Sequence, residues 1–259
     1  MDKGSRRANV LGVSVDTCEL PQVLRRIDAW VNQPAGRYVC LCNVHSVMTS
    51  NRNIRFRDAM KRADLVLPDG KPVAWGARML GYEVRSNIRG PDLVLALCHA
   101  GLGNGYSHFF YGGKPGVADE LARRLSARYP GLKVAGVYAP PFRPLSPEED
   151  AAVVKMINVS GANILWVGLG APKQEVWMAE HVGKVAVPVM IGVGAAFDFH
   201  SGSVAEAPVF MRQIGLEWLF RLWQEPRRLG RRYLVDNSLF VIAFTRQWMS
   251  AKATRYRPH

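Results

Sequence analysis

The run Leu65–Trp75, LVLPDGKPVAW, carries an apolar strand pattern into Pro68, Asp69 and Gly70 before a helical pattern opens. In an open α/β sheet, ligands bind outside the carboxyl ends of the strands, so a carboxylate there can take a proton from a bound hydroxyl. The glycine after it allows a sharp turn and leaves the carboxylate approachable. Asp is also a common helix N-cap, and spacing alone leaves Asp69 open to either role. Three further strand ends carry small residues where a strand turns into a helix: YGGKPG (Tyr111–Gly116), GLGAPKQE (Gly168–Glu175) and GVGAAFD (Gly192–Asp198). Backbone amides at such turns, with helix N-termini behind them, favour phosphate oxygens, so the three together predict a ligand with a diphosphate or a nucleotide. Established nucleotide fingerprints are missing: GGKPG lacks the Lys-Ser or Lys-Thr of a P-loop, and GVGAAF puts Phe197 where a dinucleotide fold needs a small residue. There is no Asp-x-Asp pair, and the six histidines (His45, His99, His108, His181, His200, His259) show no metal-ligand spacing. No metal and no cofactor are therefore expected, and a diphosphate would be neutralised by backbone dipoles and arginines.

These residues need a scaffold that brings strand ends together. Short apolar, β-branched runs alternate with stretches of helical period, the pattern of a doubly wound, mainly parallel, Rossmann-like α/β sheet covered on both faces. The predicted strands cover 10–15, 38–43, 64–68, 108–113, 133–138, 163–170 and 187–194, and the predicted helices 21–31, 46–63, 72–80, 116–129, 146–157 and 172–182. Ser146-Pro147-Glu148-Glu149 reads as a helix opening with acids near the positive end of the dipole, so this acidic cluster is a solvated first turn and not a metal site. After about Ala205 the strand signal stops and an aromatic, arginine-rich helical pattern takes over, which divides the chain into a catalytic domain, 1–204, and a basic helical appendage, 205–259.

Composition bounds the reading. With 259 residues, 48% hydrophobic and 21% charged, the chain is an ordinary globular protein, and wholesale disorder is excluded. Its formal charge of +13 calls for an anionic partner, and residues 205–259 alone carry a net +6. The appendage combines Trp218, Phe220, Leu222 and Trp223 with Arg221, Arg227, Arg228, Arg231 and Arg232. That pattern suits a helix lying in a membrane interface, and equally a helix pair packed on the main domain with its arginines in water. Four cysteines in a chain this long are no disulfide framework; Cys40 and Cys42, two apart on a strand, read as buried free thiols facing one way. The N-terminus is too short in apolar residues for a signal peptide, and no window spans a bilayer, so a cytoplasmic location is expected.

Taken together and in this order, LPDGKPVAW, GGKPG, GLGAPKQEVW, GVGAAFDF and EWLFRLWQEPRRLGRRYL resemble the WecG/TagA/CpsF family of glycosyltransferases over nearly the whole chain. The resemblance implies an inverting, metal-independent transfer of a sugar from a UDP-sugar donor to an undecaprenyl-diphosphate-linked sugar, performed at the inner face of the cell membrane, with anionic lipids as a peripheral surface. It implies Asp69 as catalytic base, and Asn43, Gln174 and Asp198 as substrate-binding residues. Arg221, Arg228 and Arg231 would reach back from the appendage over the site. Gly112, Gly113, Gly168, Gly170 and Gly194 of the strand-end turns complete the expected binding set. Two positions depart from the family pattern: Leu41 stands where Thr is frequent, and Asn87, between Arg85 and Arg89, where Arg is frequent. The stretch CLCNVHSV (Cys40–Val47) favours the exopolysaccharide branch with UDP-glucose as donor; UDP-N-acetylmannosamine and its uronic acid are the alternatives. Two other classes compete. A basic nucleic-acid-binding protein could stack bases on Trp218, Trp223 and Tyr233, but it leaves the glycine turns unexplained, so nucleic acid is not an expected partner. A dinucleotide oxidoreductase lacks its glycine fingerprint.

Overall fold

The computed structural model describes residues 7–33 and 36–255, the side chains at 231, 232, 254 and 255 lying outside this set. Six parallel strands form one sheet: β3 (Arg37–Cys42), β4 (Leu65–Pro68), β5 (Ser107–Gly112), β6 (Lys133–Tyr138), β7 (Ile164–Gly168) and β8 (Val189–Gly192). Their order is β4-β3-β8-β7-β5-β6. The central strands are buried on both faces, which is why they read as continuous apolar runs. One core, containing Cys40, Cys42, Phe109, Tyr111, Leu165 and Met190, fills one side of the sheet. The other contains Leu41, Leu65, Leu67, Phe110, Trp166 and Ile191. All four cysteines are buried and free.

The expected first strand, 10–15, is instead a hairpin of β1 (Arg7–Val10) and β2 (Val13–Asp16) outside the parallel sheet. Leu11 and Gly12 have φ of 51° and 88°, a two-residue turn that a continuous strand pattern hides. The hairpin shields the β4 edge: the Val66 amide donates to Asp16 at 2.8 Å, and Arg7 donates to the Ala63 carbonyl at 3.2 Å.

Helices α1 (Leu20–Val31), α4 (Lys71–Met79), α6 (Val117–Arg128), α7 (Pro147–Val159) and α8 (Lys173–His181) fall within two residues of their expected ends. The single helix expected over 46–63 is two, α2 (Val44–Arg52) and α3 (Ile54–Arg62), because the Asn53 side chain accepts from the Phe56 amide and caps a new start. Ser146 caps α7 with a reciprocal Glu149 bond, as its sequence implies; one acid of that turn, Asp150, also bonds His181 and Trp177. Helix α5 (Gly90–Asn104) has no counterpart in the sequence reading, since its apolar residues are spread around it with little amphipathic stripe.

Beyond α9 (Ala196–His200) the chain is helical: α10 (Val209–Gln213), α11 (Glu217–Gln224) and α12 (Pro226–Arg255). Helix α12 packs against the domain that holds the parallel sheet. On α12, Phe240 and Phe244 are buried, Phe244 lying against Gly76. Asp236 accepts from Arg52 and lies 2.8 Å from His45, both on α2, while Gln247 bonds the hairpin at Leu11 and Asn9. The opposite side leaves Val209, Phe210, Ile214, Trp223, Leu234, Val241 and Ile242 exposed.

Gly112 needs its missing side chain. Its φ is 126°, and a Cβ there would stand 2.5 Å from the Gly168 carbonyl carbon, so β5 and β7 could not approach. Gly112→Ala is expected to cost about 3 kcal/mol, read as a lowered urea midpoint at unchanged m-value.

Candidate active site

Apart from Arg221, Arg228 and Arg231 of the appendage, the expected site residues follow the carboxyl ends of five strands, on one rim of the sheet. Asp69 follows β4 directly. Its amide continues the β3–β4 ladder by donating to the Cys42 carbonyl at 2.8 Å. The helix cap behind it is Gly70, φ 83°, which has no side chain to bond with, and α4 starts at Lys71. The capping role open to Asp69 is therefore taken by its neighbour, and its carboxylate is free to face the rim. Asn43, at the end of β3, caps α2 by accepting from the Ser46 amide at 3.1 Å and turns its Nδ2 toward Asp69 at 3.5 Å, a long contact. Burial pushes the Asp69 carboxyl up to about 6 and Glu217 adds to this, against the Asn43 contact and the positive charges of Arg89 and Arg221. A carboxylate poised near neutrality is suited to taking a proton from a hydroxyl.

Two of these charges come from α11, so the appendage reaches Asp69. The Arg221 guanidinium lies over the Phe199 ring, 5.3 Å from its centroid, and its Nε is buried without a hydrogen-bond partner. Arg221 also acts on Asp198, as do Arg228 and Lys114, all holding that carboxyl down against burial and Glu225, though burial wins and the net direction is up. Arg228 forms an ion pair with Glu225 on the same stretch of chain. Arg231 is on α12, its side chain outside the described residues. Positive charge from the far end of the chain thus converges on the rim between Asp69 and Asp198.

The glycine turns do a different job from the one expected of them. Gly113 spends its amide on the Gly168 carbonyl at 3.1 Å, and Gly170 on the Gln174 side chain at 3.2 Å, so neither N–H is presented to a phosphate. Gly112 is buried, and a Cβ on Gly168 would meet Phe197 at 2.8 Å. These residues let strand ends pack closely and so shape the floor. Gln174 is 4% exposed, bonded to Gly170 and Glu175 and pressed against Gly192 and Gly194. It braces the turn from beneath. Leu41 is also buried, packed where a Cβ on Gly90 would strike it.

Arg89 is the residue the sequence reading passed over. It is 8% exposed and grips Glu217 with two bonds of 3.1 and 3.2 Å, Glu206 at 2.9 Å and Asp92 at 3.1 Å. A signal existed: Glu206 and Glu217 are two of only four acids in the basic tail, so each has reason to meet a cation. Among the described residues no group of three or more His, Cys, Asp or Glu side chains is arranged to hold a metal ion.

A family model described as the glycosyl transferase WecG/TagA/CpsF family matches residues 8–254. The chain belongs to that family. This glycosyltransferase is 29% identical over 202 residues to an N-acetylglucosaminyldiphosphoundecaprenol N-acetyl-beta-D-mannosaminyltransferase of Bacillus spizizenii, covering 78% of this chain and 77% of the relative. A protein of the same description from Staphylococcus aureus strain MW2 is 26% identical over 242 residues, 92% of each chain. Among the described residues of this glycosyltransferase, no helix is long and apolar enough to cross a membrane.

Proposed function

We propose that the protein transfers an N-acetylmannosaminyl group, with inversion, from a UDP-sugar to an undecaprenyl-diphosphate-linked N-acetylglucosamine. The observation that carries this reading is Asp69 beside Asn43 at the strand ends, with Arg221 of the appendage held over Phe199, next to Asp198, and its Nε buried without a partner. The Asp69 carboxylate takes the proton of the acceptor hydroxyl as its oxygen bonds to C1 of the donor sugar. The C1–O bond to the diphosphate breaks, and UDP leaves with its electrons. Arg221, with Arg228 behind it, stabilises the charge that grows on the diphosphate, and Asn43 steadies the base.

The names of the relatives support an N-acetylmannosaminyl donor over the glucose donor expected from Cys40–Val47. Packing withdraws the ground for glucose: Cys40 and Cys42 are fully buried and Leu41 nearly so, so that stretch puts no side chain of β3 before a sugar. For the acceptor, the exposed apolar residues of α10–α12 and the arginines beside them favour a membrane surface with anionic lipids. Met211, Leu219, Phe220, Leu222, Trp223 and Pro226 line an open apolar groove of about 560 Å³ there. The protein would then work at the cytoplasmic face, where the nucleotide donor is made.

A panel of UDP-sugars offered with undecaprenyl-diphospho-N-acetylglucosamine in EDTA is expected to give transfer from UDP-N-acetylmannosamine, at least about tenfold above UDP-glucose in kcat/KM. The product anomer, read by NMR, should be inverted. Preference for UDP-glucose would overturn the donor assignment, and retention or strict dependence on added metal would overturn the mechanism.

A further inference from the structure

Arg89 and Glu217 lie 128 positions apart in the chain, yet they form a forked, two-bond ion pair at the edge of the rim. Arg89 stands at the N-cap of α5, one residue after Ile88, whose amide donates to the Pro68 carbonyl at the end of β4. It is thus fixed to the strand that carries Asp69. Glu217 opens α11, the helix that carries Arg221 one turn later. Glu206, also held by Arg89, is bonded in turn to Arg212 of α10 at 3.3 Å. A single buried guanidinium therefore holds two segments of the appendage against the sheet.

We propose that Arg89 and Glu217 are positioning residues for the transfer: Arg89 seats α11 over the rim, and Glu217, brought in with it, sets the charge environment in which Asp69 accepts its proton. This rests on the reading of Asp69 as the base. Three observations support it. The Arg89 fork is nearly enclosed and fully spent on carboxylates, so it has no donor left for a substrate and serves structure. Arg89 is the shared cation of Glu217, Glu206 and Asp92, so its loss leaves three like charges gathered without their common counter-charge, and α11 should leave its seat. The groups facing Asp69 are Glu217 and Arg221 from α11, Arg89 from the start of α5, and the Cys42 thiol from β3, with Asn43 as the neutral partner. Of these, Glu217 is the one carboxylate. With it docked, Asp69 is a stronger base than it would be beside arginines alone; with α11 displaced, the base weakens and Arg221 leaves the diphosphate together. Docking and proton acceptance are then one event.

Two arms test this on the full-length protein. In the first, kcat/KM is measured against pH for Glu217→Gln, which keeps the side-chain shape and one hydrogen bond to Arg89. The acid limb, expected near pH 6 in the parent because the Asp69 carboxyl is pushed up to about 6, is expected to fall by roughly half a unit or more. UDP, titrated by calorimetry, should bind within about threefold of the parent, a cost of under 1 kcal/mol. An unmoved limb would overturn the role given to Glu217.

In the second arm, backbone hydrogen exchange is followed across residues 209–224. Arg89→Met is expected to speed exchange there and weaken UDP binding by about tenfold or more; Arg89→Lys, which keeps the charge, should recover much of both. Parent-like exchange and UDP affinity in Arg89→Met would overturn the role given to Arg89. The base reading fails separately: an Asp69→Asn protein that still shows the acid limb would refute it, whatever the other variants do.

Discussion

Asp69→Asn is expected to lower kcat by at least about 10²-fold while leaving UDP affinity nearly unchanged. The substitution keeps the size of the side chain and its contact with Asn43, so the rim should hold its shape; what is lost is the ability to accept a proton. The pH profile gives a second, independent reading. A base with its carboxyl near 6 is half protonated at that pH, so kcat/KM should rise through about pH 6 and level off above it. The sign follows from the role: burial and Glu217 disfavour the charged form, and only the charged form takes the acceptor proton. In Asp69→Asn the residual rate should lose this limb. Near-parent turnover in the variant would remove Asp69 from the mechanism.

Arg221→Ala is the other change with a large expected effect, about 10²- to 10³-fold in kcat, the size of loss found when a donor facing developing charge is removed. Its guanidinium lies over Phe199, acts on both Asp69 and Asp198, and has a buried Nε without a partner. Unlike the Arg89 fork, it has hydrogen-bonding capacity left over, which is what a diphosphate needs. Arg221→Lys should recover part of the rate, since a point charge returns without the planar fork. A point substitution is the right instrument here. Deleting the appendage would remove Phe240 and Phe244, expose the apolar surface of the main domain that they cover, and break the Asp236 contacts to His45 and Arg52 on α2. Helix α2 is capped by Asn43, so a truncation would disturb the site through its scaffold and say little about the arginines. Unchanged kcat in Arg221→Ala would place the diphosphate elsewhere on the rim.

What the amino-acid sequence determined by itself is what near neighbours along the chain decide. Alternating apolar runs and helical stretches specified a parallel sheet with helices on both faces. Ser146 marked a helix start, and Pro68-Asp69-Gly70 marked a strand end where a carboxylate could meet a ligand. Where neighbours were ambiguous the reading slipped: Leu11-Gly12 turns a strand into a hairpin, Asn53 splits a helix, and α5 hides for want of a stripe. The tertiary structure alone decided the rest, because it is set by contacts between residues far apart in the chain. It showed that the Gly113 amide is spent on the Gly168 carbonyl, that Asp236 of α12 meets His45 and Arg52 of α2, and that Arg89 closes on Glu217 across 128 positions. A residue's type and spacing state which bonds it is able to form; which of them it does form depends on what folding brings within about 3 Å of it.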